Sequence, residues 1–342
     1  MPRILEKKTT YTTDYPTALK FIEEQNSIMW FPNEVDVEKD LHDLRTNFTK
    51  SEYHAVTTLL KLFLKYELEI GNEYWANYVS KVFPRPEIQR MANCFSFIEI
   101  NVHAPFYNKL NEVLGLNTDE FYDSYIDIPA LKNRMEWIGR RVEKKDTVFN
   151  ILKSVGIFSI LEGAVLYSSF AFLKHFQAEG KNKLMATCSG INFSVRDEAI
   201  HSQAGAWLFQ TLLKEAKEDG SITEDEVIQL ENELYETCNV IREHEFEIIR
   251  LFFEKGNIKG ITVHQIENFV ESRIDLCLQQ LNLKKVYNPT YNPIYSWFYK
   301  NINGSKLHDF FAKIGSDYTR NWTKSKFIWT GKQLNDLTYT GN

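Results

Sequence analysis

GIFSILEGAVLYSSFAFL, residues Gly156–Leu173, contains a single charged residue, Glu162, in its middle. The run is barely long enough for a membrane span, is solitary and has a carboxylate at its centre, so it reads as a helix buried on every side in a protein core. Three and four residues from Glu162 stand Phe158, Ser159, Val165 and Leu166, and no Lys or Arg lies between Ser154 and Leu173. An uncompensated carboxylate in such a setting costs several kcal/mol. It must be protonated, paired with a cation from another helix, or bound to a metal. That requirement directs how the remaining sequence is read.

Around this segment the chain is helical in pattern. Only 15 Gly occur in 342 residues, and no Pro falls between Pro129 and Pro289. Apolar positions recur at three and four residues, and alternating strand patterns with two-residue turns are absent. Helices are expected over about 51–79 (opened by Ser51-Glu52), 87–114, 131–144, 147–178, 183–218, 223–255 and 263–281, with Val82-Phe83-Pro84-Arg85-Pro86 as a break. Thr223-Glu224-Asp225-Glu226 lacks the ligand pattern of a calcium loop and reads as a helix cap. Long helices with short connections imply an all-α bundle. With 43% hydrophobic and 25% charged residues the chain can fill a large core, and wholesale disorder is excluded. A net charge of −6 argues against non-specific binding to nucleic acid or to an anionic membrane surface. The four cysteines, Cys94, Cys188, Cys238 and Cys277, form no Cys-x-x-Cys pair, which suits a reducing cytoplasm, and the N-terminus has no apolar run of signal-peptide length. Residues 1–322 read as one domain. The segment 323–342 lacks a clear period yet carries Phe327, Ile328, Trp329 and Tyr339, as a frayed end or a docking tail would.

Three further sites place acids where a helix should be apolar. Glu198 and His201 are three apart, about 60° around a helix, and Glu99 and His103 are four apart, about 40° around it, so each pair shares a face. Glu67 has Phe63, Leu64, Ile70 and Gly71 as helical neighbours and points inward, whereas Glu69, beside Lys65, Tyr66, Asn72 and Glu73, points outward. Glu67, Glu99, His103, Glu162, Glu198 and His201 together form the inventory of a two-metal carboxylate site in a bundle. Oxygen donors with imidazole and no thiolate suit iron or manganese. The four carboxylates carry a charge that two divalent ions neutralise.

This set resembles the radical-generating small subunit of class I ribonucleotide reductase, over roughly Trp30 to Trp322. Trp30-Phe31-Pro32-Asn33-Glu34-Val35-Asp36 resembles the family's Trp-containing entry segment, Glu67 its first carboxylate, and Glu99 with His103 its first Glu–His pair. Glu162 resembles its lone mid-helix Glu, Arg196-Asp197-Glu198-Ala199-Ile200-His201 its second pair, and Asn292-Pro293 the end of the fold. The resemblance implies a ferritin-like helical bundle that acts as a homodimer and holds two metal ions: iron first, with dimanganese or mixed manganese–iron as alternatives. It implies that Tyr107, four residues after His103, is the radical tyrosine, that Asp197 accepts the other N–H of His103, and that Trp30 continues a redox path. The oxidant generated, with dioxygen or with superoxide from a flavoprotein activase, would pass through Trp30 and the tail to a large catalytic subunit that reduces ribonucleotides. Tyr318 and Tyr339 are the candidates for the tail's relay tyrosine.

One departure from the family stands out. The family has Glu-x-x-His in the first pair, whereas here the residue three before His103 is Ile100, which cannot bind a metal. Pro105 cannot donate to the carbonyl of Asn101 and crowds that turn. A π-bulge between Glu99 and Pro105 would absorb both the proline and the extra residue, and Glu99 would still ligate. Three rivals use parts of the same pattern: a dimetal oxidase with its own small organic substrate, a ferritin-type iron store, and a metal-free helical interaction protein. The store has no use for a tyrosine at Tyr107, and Glu162 is wrongly placed for the metal-free reading.

Overall fold

The computed structural model describes residues 1–140 and 147–303, and among the described residues there is no strand. In chain order the helices are α1 (Pro16–Ser27), α2 (Lys50–Glu69), α3 (Ser80–Val82), α4 (Pro86–Ile98), α5 (Ala104–Leu114), α6 (Asp119–Asp123), α7 (Pro129–Gly139), α8 (Val148–Ala164), α9 (Tyr167–Lys174), α10 (Met185–Glu218), α11 (Glu224–Phe252), α12 (Val263–Gln280) and α13 (Pro293–Asn303). Wider π-helical stretches join α2 to α3 (Ile70–Val79) and α4 to α5 (Glu99–His103).

Local chemistry sets the helix starts. Thr49, Thr223 and Thr262 each accept from the backbone N–H three residues on, and the side chains of Glu52, Glu226 and Gln265 return the bond to the capping backbone. The cap of α2 is therefore Thr49, two residues before the expected Ser51, because only Thr49 has its partner acid at the third position. Glu224, Asp225 and Glu226 also set negative charge on the positive end of α11. The expected cap at Thr223 is thus present.

The core is built around α8, which packs against α10, α11 and α12. Within the apolar stretch Val148–Lys174, residues 154–174 are buried throughout, as expected of a core helix. It is not one continuous helix, however. Val165 is extended and Leu166 adopts a left-handed φ of 69°, so the chain restarts as α9 just beyond Glu162. No glycine marks that position: the left-handed residue is a leucine. The predicted regular continuation of α2 to residue 79 also differs, because Ile70–Val79 is π-helical. There Gly71 lies so close to α4–α5 that a Cβ would sit 2.8 Å from Ile100 and 2.9 Å from the Glu99 Cβ. The expected domain end at 322, the tail 323–342 and the relay candidates Tyr318 and Tyr339 lie outside the described residues.

Candidate metal centre

The six residues singled out in the sequence converge. Glu67 comes from α2, Glu99 and His103 from the ends of the π-helical turn between α4 and α5, Glu162 from α8, and Glu198 and His201 from α10. All are buried, none more than 2% exposed. Two groups form: Glu67, Glu99, His103 and Glu198, and then Glu99, Glu162, Glu198 and His201. In each, one donor atom per residue lies within 4.8 Å of the others, and Glu99 and Glu198 belong to both. The Glu99 carboxylate spans the two imidazoles, with Oε2 2.8 Å from His103 Nδ1 and Oε1 2.5 Å from His201 Nδ1. His103 Nδ1 also lies 3.4 Å from Glu67 and 3.5 Å from Glu198.

The wider turn at Glu99–His103 has the position proposed from Pro105. Ala104 donates its N–H to the Glu99 carbonyl, a five-residue step that inserts the extra residue and leaves the proline at the start of a fresh helix. Glu99 and His103 thereby face one side despite their spacing.

The atoms at the centre of this cluster lack partners. Both oxygens of Glu67, Glu99 and Glu198, Oε2 of Glu162, Nδ1 of His103 and both ring nitrogens of His201 make no aligned hydrogen bond. Among the described residues no Lys or Arg pairs with any of the four carboxylates. Burial pushes the Glu67 and Glu198 carboxyls well above the usual range, with the neighbouring Glu99 charge adding to it. Burial and the Glu99 charge likewise raise Glu162 to about 7. Glu99 goes the other way: burial opposes ionisation, but the His103 and His201 rings outweigh it and hold the group well below its ordinary value. His103 Nε2 lies 2.9 Å from Asp197 Oδ2; a carboxylate accepts, so Nε2 carries a proton and Nδ1 is the ring atom aimed at Glu99. Two acceptors at 2.8 Å require a proton or a cation between them. Buried, mutually repelling acceptors of this donor set fit a pair of divalent cations.

Around the cluster, Asp197 accepts from Trp30 Nε1 at 2.8 Å and from Gln25 Nε2 at 2.7 Å, so one buried carboxylate links Trp30 to His103. Tyr107 is fully buried, stacks on Phe63 at 4.3 Å between ring centroids, and donates to Ser194 Oγ at 3.2 Å. Its ring centre lies 6.5 Å from that of His103, and burial raises its phenol well above the ordinary value. Glu67 is buried and Glu69 half-buried, the orientation their neighbours predicted. Two contributors were not singled out in the sequence. Trp75 donates to Glu162 Oε1 at 2.6 Å, and Gln25 holds Asp197. Trp75 lies in the same buried stripe as Glu67 and looks like core; Gln25, on α1, has no local signal at all.

The family described as "Ribonucleotide reductase, small chain" matches residues 7–293. A ribonucleoside-diphosphate reductase small subunit of Saimiriine herpesvirus 2 is 27% identical over 92% of this chain and 96% of its own. In fold, the chain is similar to the ribonucleotide reductase R2 subunit from Clostridium botulinum, with a TM-score of 0.70, 24% identity and coverage of 84% and 88%. It is also similar to dimanganese(II)-NrdF of Streptococcus sanguinis, with a TM-score of 0.72, 20% identity and coverage of 85% and 99%.

Proposed function

The chain belongs to the ribonucleotide reductase small-chain family, as a class I small subunit, and from that premise we propose that its buried cluster is a dimetal centre which stores a one-electron oxidant at Tyr107. The observation that carries this reading is the group of four buried carboxylates, two of them shared, with no Lys or Arg partner among the described residues. Glu67, Glu99, His103 and Glu198 would hold one ion, and Glu99, Glu162, Glu198 and His201 the other, with Glu99 and Glu198 serving both. When bound, the metal pair supplies the oxidising power that removes one electron from Tyr107. The chain's own residues set the conditions for this. Phe63 and Phe106 cover the phenol and keep reductants out, and the phenol O–H is directed at Ser194 Oγ. Asp197 keeps the His103 proton on Nε2 and leaves Nδ1 free to ligate. Trp30, bonded to the same carboxylate, provides the way out for the oxidising equivalent.

The oxidising equivalent then leaves for a large catalytic subunit, which reduces ribonucleoside diphosphates. The electron that refills Tyr107 comes from that subunit's cysteine. We assign the docking role to residues 323–342 and treat 1–322 as one domain, which forms a homodimer in the cytoplasm. Iron is our first metal assignment. The same donors serve a dimanganese or mixed manganese–iron centre, and a dimanganese centre would call for a flavoprotein activase to supply superoxide. Metal analysis and electron paramagnetic resonance after aerobic reconstitution test the reading. Two ions per chain and a tyrosyl signal lost in Tyr107→Phe are expected. No bound iron or manganese under any reconstitution condition would overturn it.

A further inference from the structure

The helix break after Glu162 is held by a residue with no place in the scheme above. In a continuous helix the Gly163 carbonyl would accept from the N–H of Tyr167. The break frees that carbonyl, and Arg273 of α12 takes it with two donors, Nε at 3.0 Å and Nη2 at 2.8 Å. Arg273 is 4% exposed, and among the described residues no carboxylate pairs with it. Its guanidinium lies 3.8 Å from the Tyr167 ring centroid, just past the break, and its Nη1 donates to Tyr299 of α13 at 2.6 Å. A buried cation without a counter-ion is costly to keep. Here it satisfies a backbone acceptor that only a broken helix exposes, and its planar fork matches that carbonyl.

The geometry on either side explains why this matters for Glu162. One turn earlier, α8 is clamped to α10 by a reciprocal pair: Ser159 Oγ donates to the Ser202 carbonyl at 2.8 Å, and Ser202 Oγ to the Ser159 carbonyl at 2.9 Å. Ser202 follows His201 directly. At Gly163 a Cβ would collide with Cys277 Sγ and Ser202 Oγ, so the backbone needs the bare glycine to approach α10 and α12. Glu162 thus sits between a fixed turn and one that Leu166, at φ 69°, leaves in a conformation disfavoured for an L residue.

We propose that Arg273 is a positioning residue for Glu162: its two-donor grip on the Gly163 carbonyl fixes the broken turn, and its third donor ties that turn to α13 through Tyr299. The inference rests on the assignment of Glu162 as a ligand of the ion beside His201. Arg273→Lys, which keeps the charge and loses the fork, and Tyr299→Phe are the variants, made in the full-length chain. Hydrogen exchange of the metal-free protein reads the turn, and Mn(II) titration followed by paramagnetic resonance reads the two ions. R273K should raise exchange over residues 163–168 by about tenfold with α11 unchanged. It should weaken one of the two Mn(II) ions by about tenfold and leave the other within about threefold. Y299F should change both readouts in the same direction by less. Unchanged exchange in R273K, or equal weakening of both ions, overturns the positioning role, and a silent Y299F beside an active R273K overturns the link to α13. Fewer than two Mn(II) ions in the wild type would instead break the ligand assignment, and the inference would fall with it.

Discussion

The bundle buries ionisable groups in two contrasting ways. At the candidate centre four carboxylates face two imidazoles, and acceptors outnumber donors. Between α7 and α11, Arg134 (2% exposed) meets Glu245 (0% exposed) in an ion pair, one charge against one, so that the charge balances within the protein. Burial lowers Arg134 to about 9, yet an opposite charge is in contact with it. A cluster whose charge does not close within the protein requires ions from outside; a closed pair requires only its partner. The two regions should therefore respond oppositely to losing a carboxylate. Glu198→Gln removes a donor common to both ligand groups, so affinity for the metal pair should fall at least about 100-fold, more than the loss of an outer partner costs. The metal-free protein should be no less stable, because the neutral amide replaces a carboxyl whose ionised form burial and the Glu99 charge already disfavour. Metal titration and urea unfolding of the apoprotein check the two halves of this expectation, and a large apoprotein loss would erase the distinction.

The closed pair gives the complementary result. Arg134→Met strands Glu245 in the core and should cost about 3–5 kcal/mol in the apoprotein, whether or not metal is later added. The double variant Arg134→Met/Glu245→Leu should recover most of that loss, since apolar replacement of both partners is often neutral. Urea midpoints of the single and double variants decide the matter. A double variant as unstable as the single one would mean that the pair is more than a matched set of charges.

Parts of this were legible in the sequence for a specific reason. A carboxylate among apolar helical neighbours, as at Glu162 and Glu67, is a conflict between charge and periodicity, and such conflicts survive in one dimension. The widened turn was legible because Pro105 and the Glu99-x-x-x-His103 spacing both violate a regular helix locally. The break at Leu166 was not, because the residue that holds it lies on α12: the left-handed residue is a leucine, and Arg273 is over a hundred positions away in the chain. Trp75 and Gln25 escaped notice for the same reason, since their bonds cross between elements and their own neighbourhoods look like ordinary core.

A third solution sits at His175, which is fully buried and neither paired nor part of the centre. Burial, with the Lys181 and Lys183 charges adding to it, lowers its ring to about 3 from an ordinary 6.5, so it stays neutral and turns Nδ1 to the Phe172 carbonyl. The folded value lies below the unfolded one. The associated stability is therefore present above pH 6.5 and is lost as pH falls from there towards 3, because only the unfolded chain takes up the proton. At pH 5 this amounts to about 2 kcal/mol. His175→Gln should reduce the loss of stability between pH 7 and pH 5 by that amount, measured on urea midpoints at the two pH values. Parallel pH dependence in wild type and variant would show that the ring is protonated in the fold.

The smallest effect should come from the edge of the open cluster. Trp75 satisfies Glu162 Oε1 and leaves Oε2 without a partner, so the indole decides which oxygen is presented to the interior. In Trp75→Phe the carboxylate loses that constraint. The apoprotein should lose about 1 kcal/mol for the missing hydrogen bond. Of the two ions, only the one beside His201 should bind more weakly, by less than about tenfold, because Glu162 belongs to that group alone. Calorimetric titration with Mn(II) would resolve the two affinities. Equal weakening of both ions would mean that Trp75 acts on the shared carboxylates Glu99 and Glu198 rather than on Glu162. The division of the cluster into two groups with different outer support would then have to be redrawn.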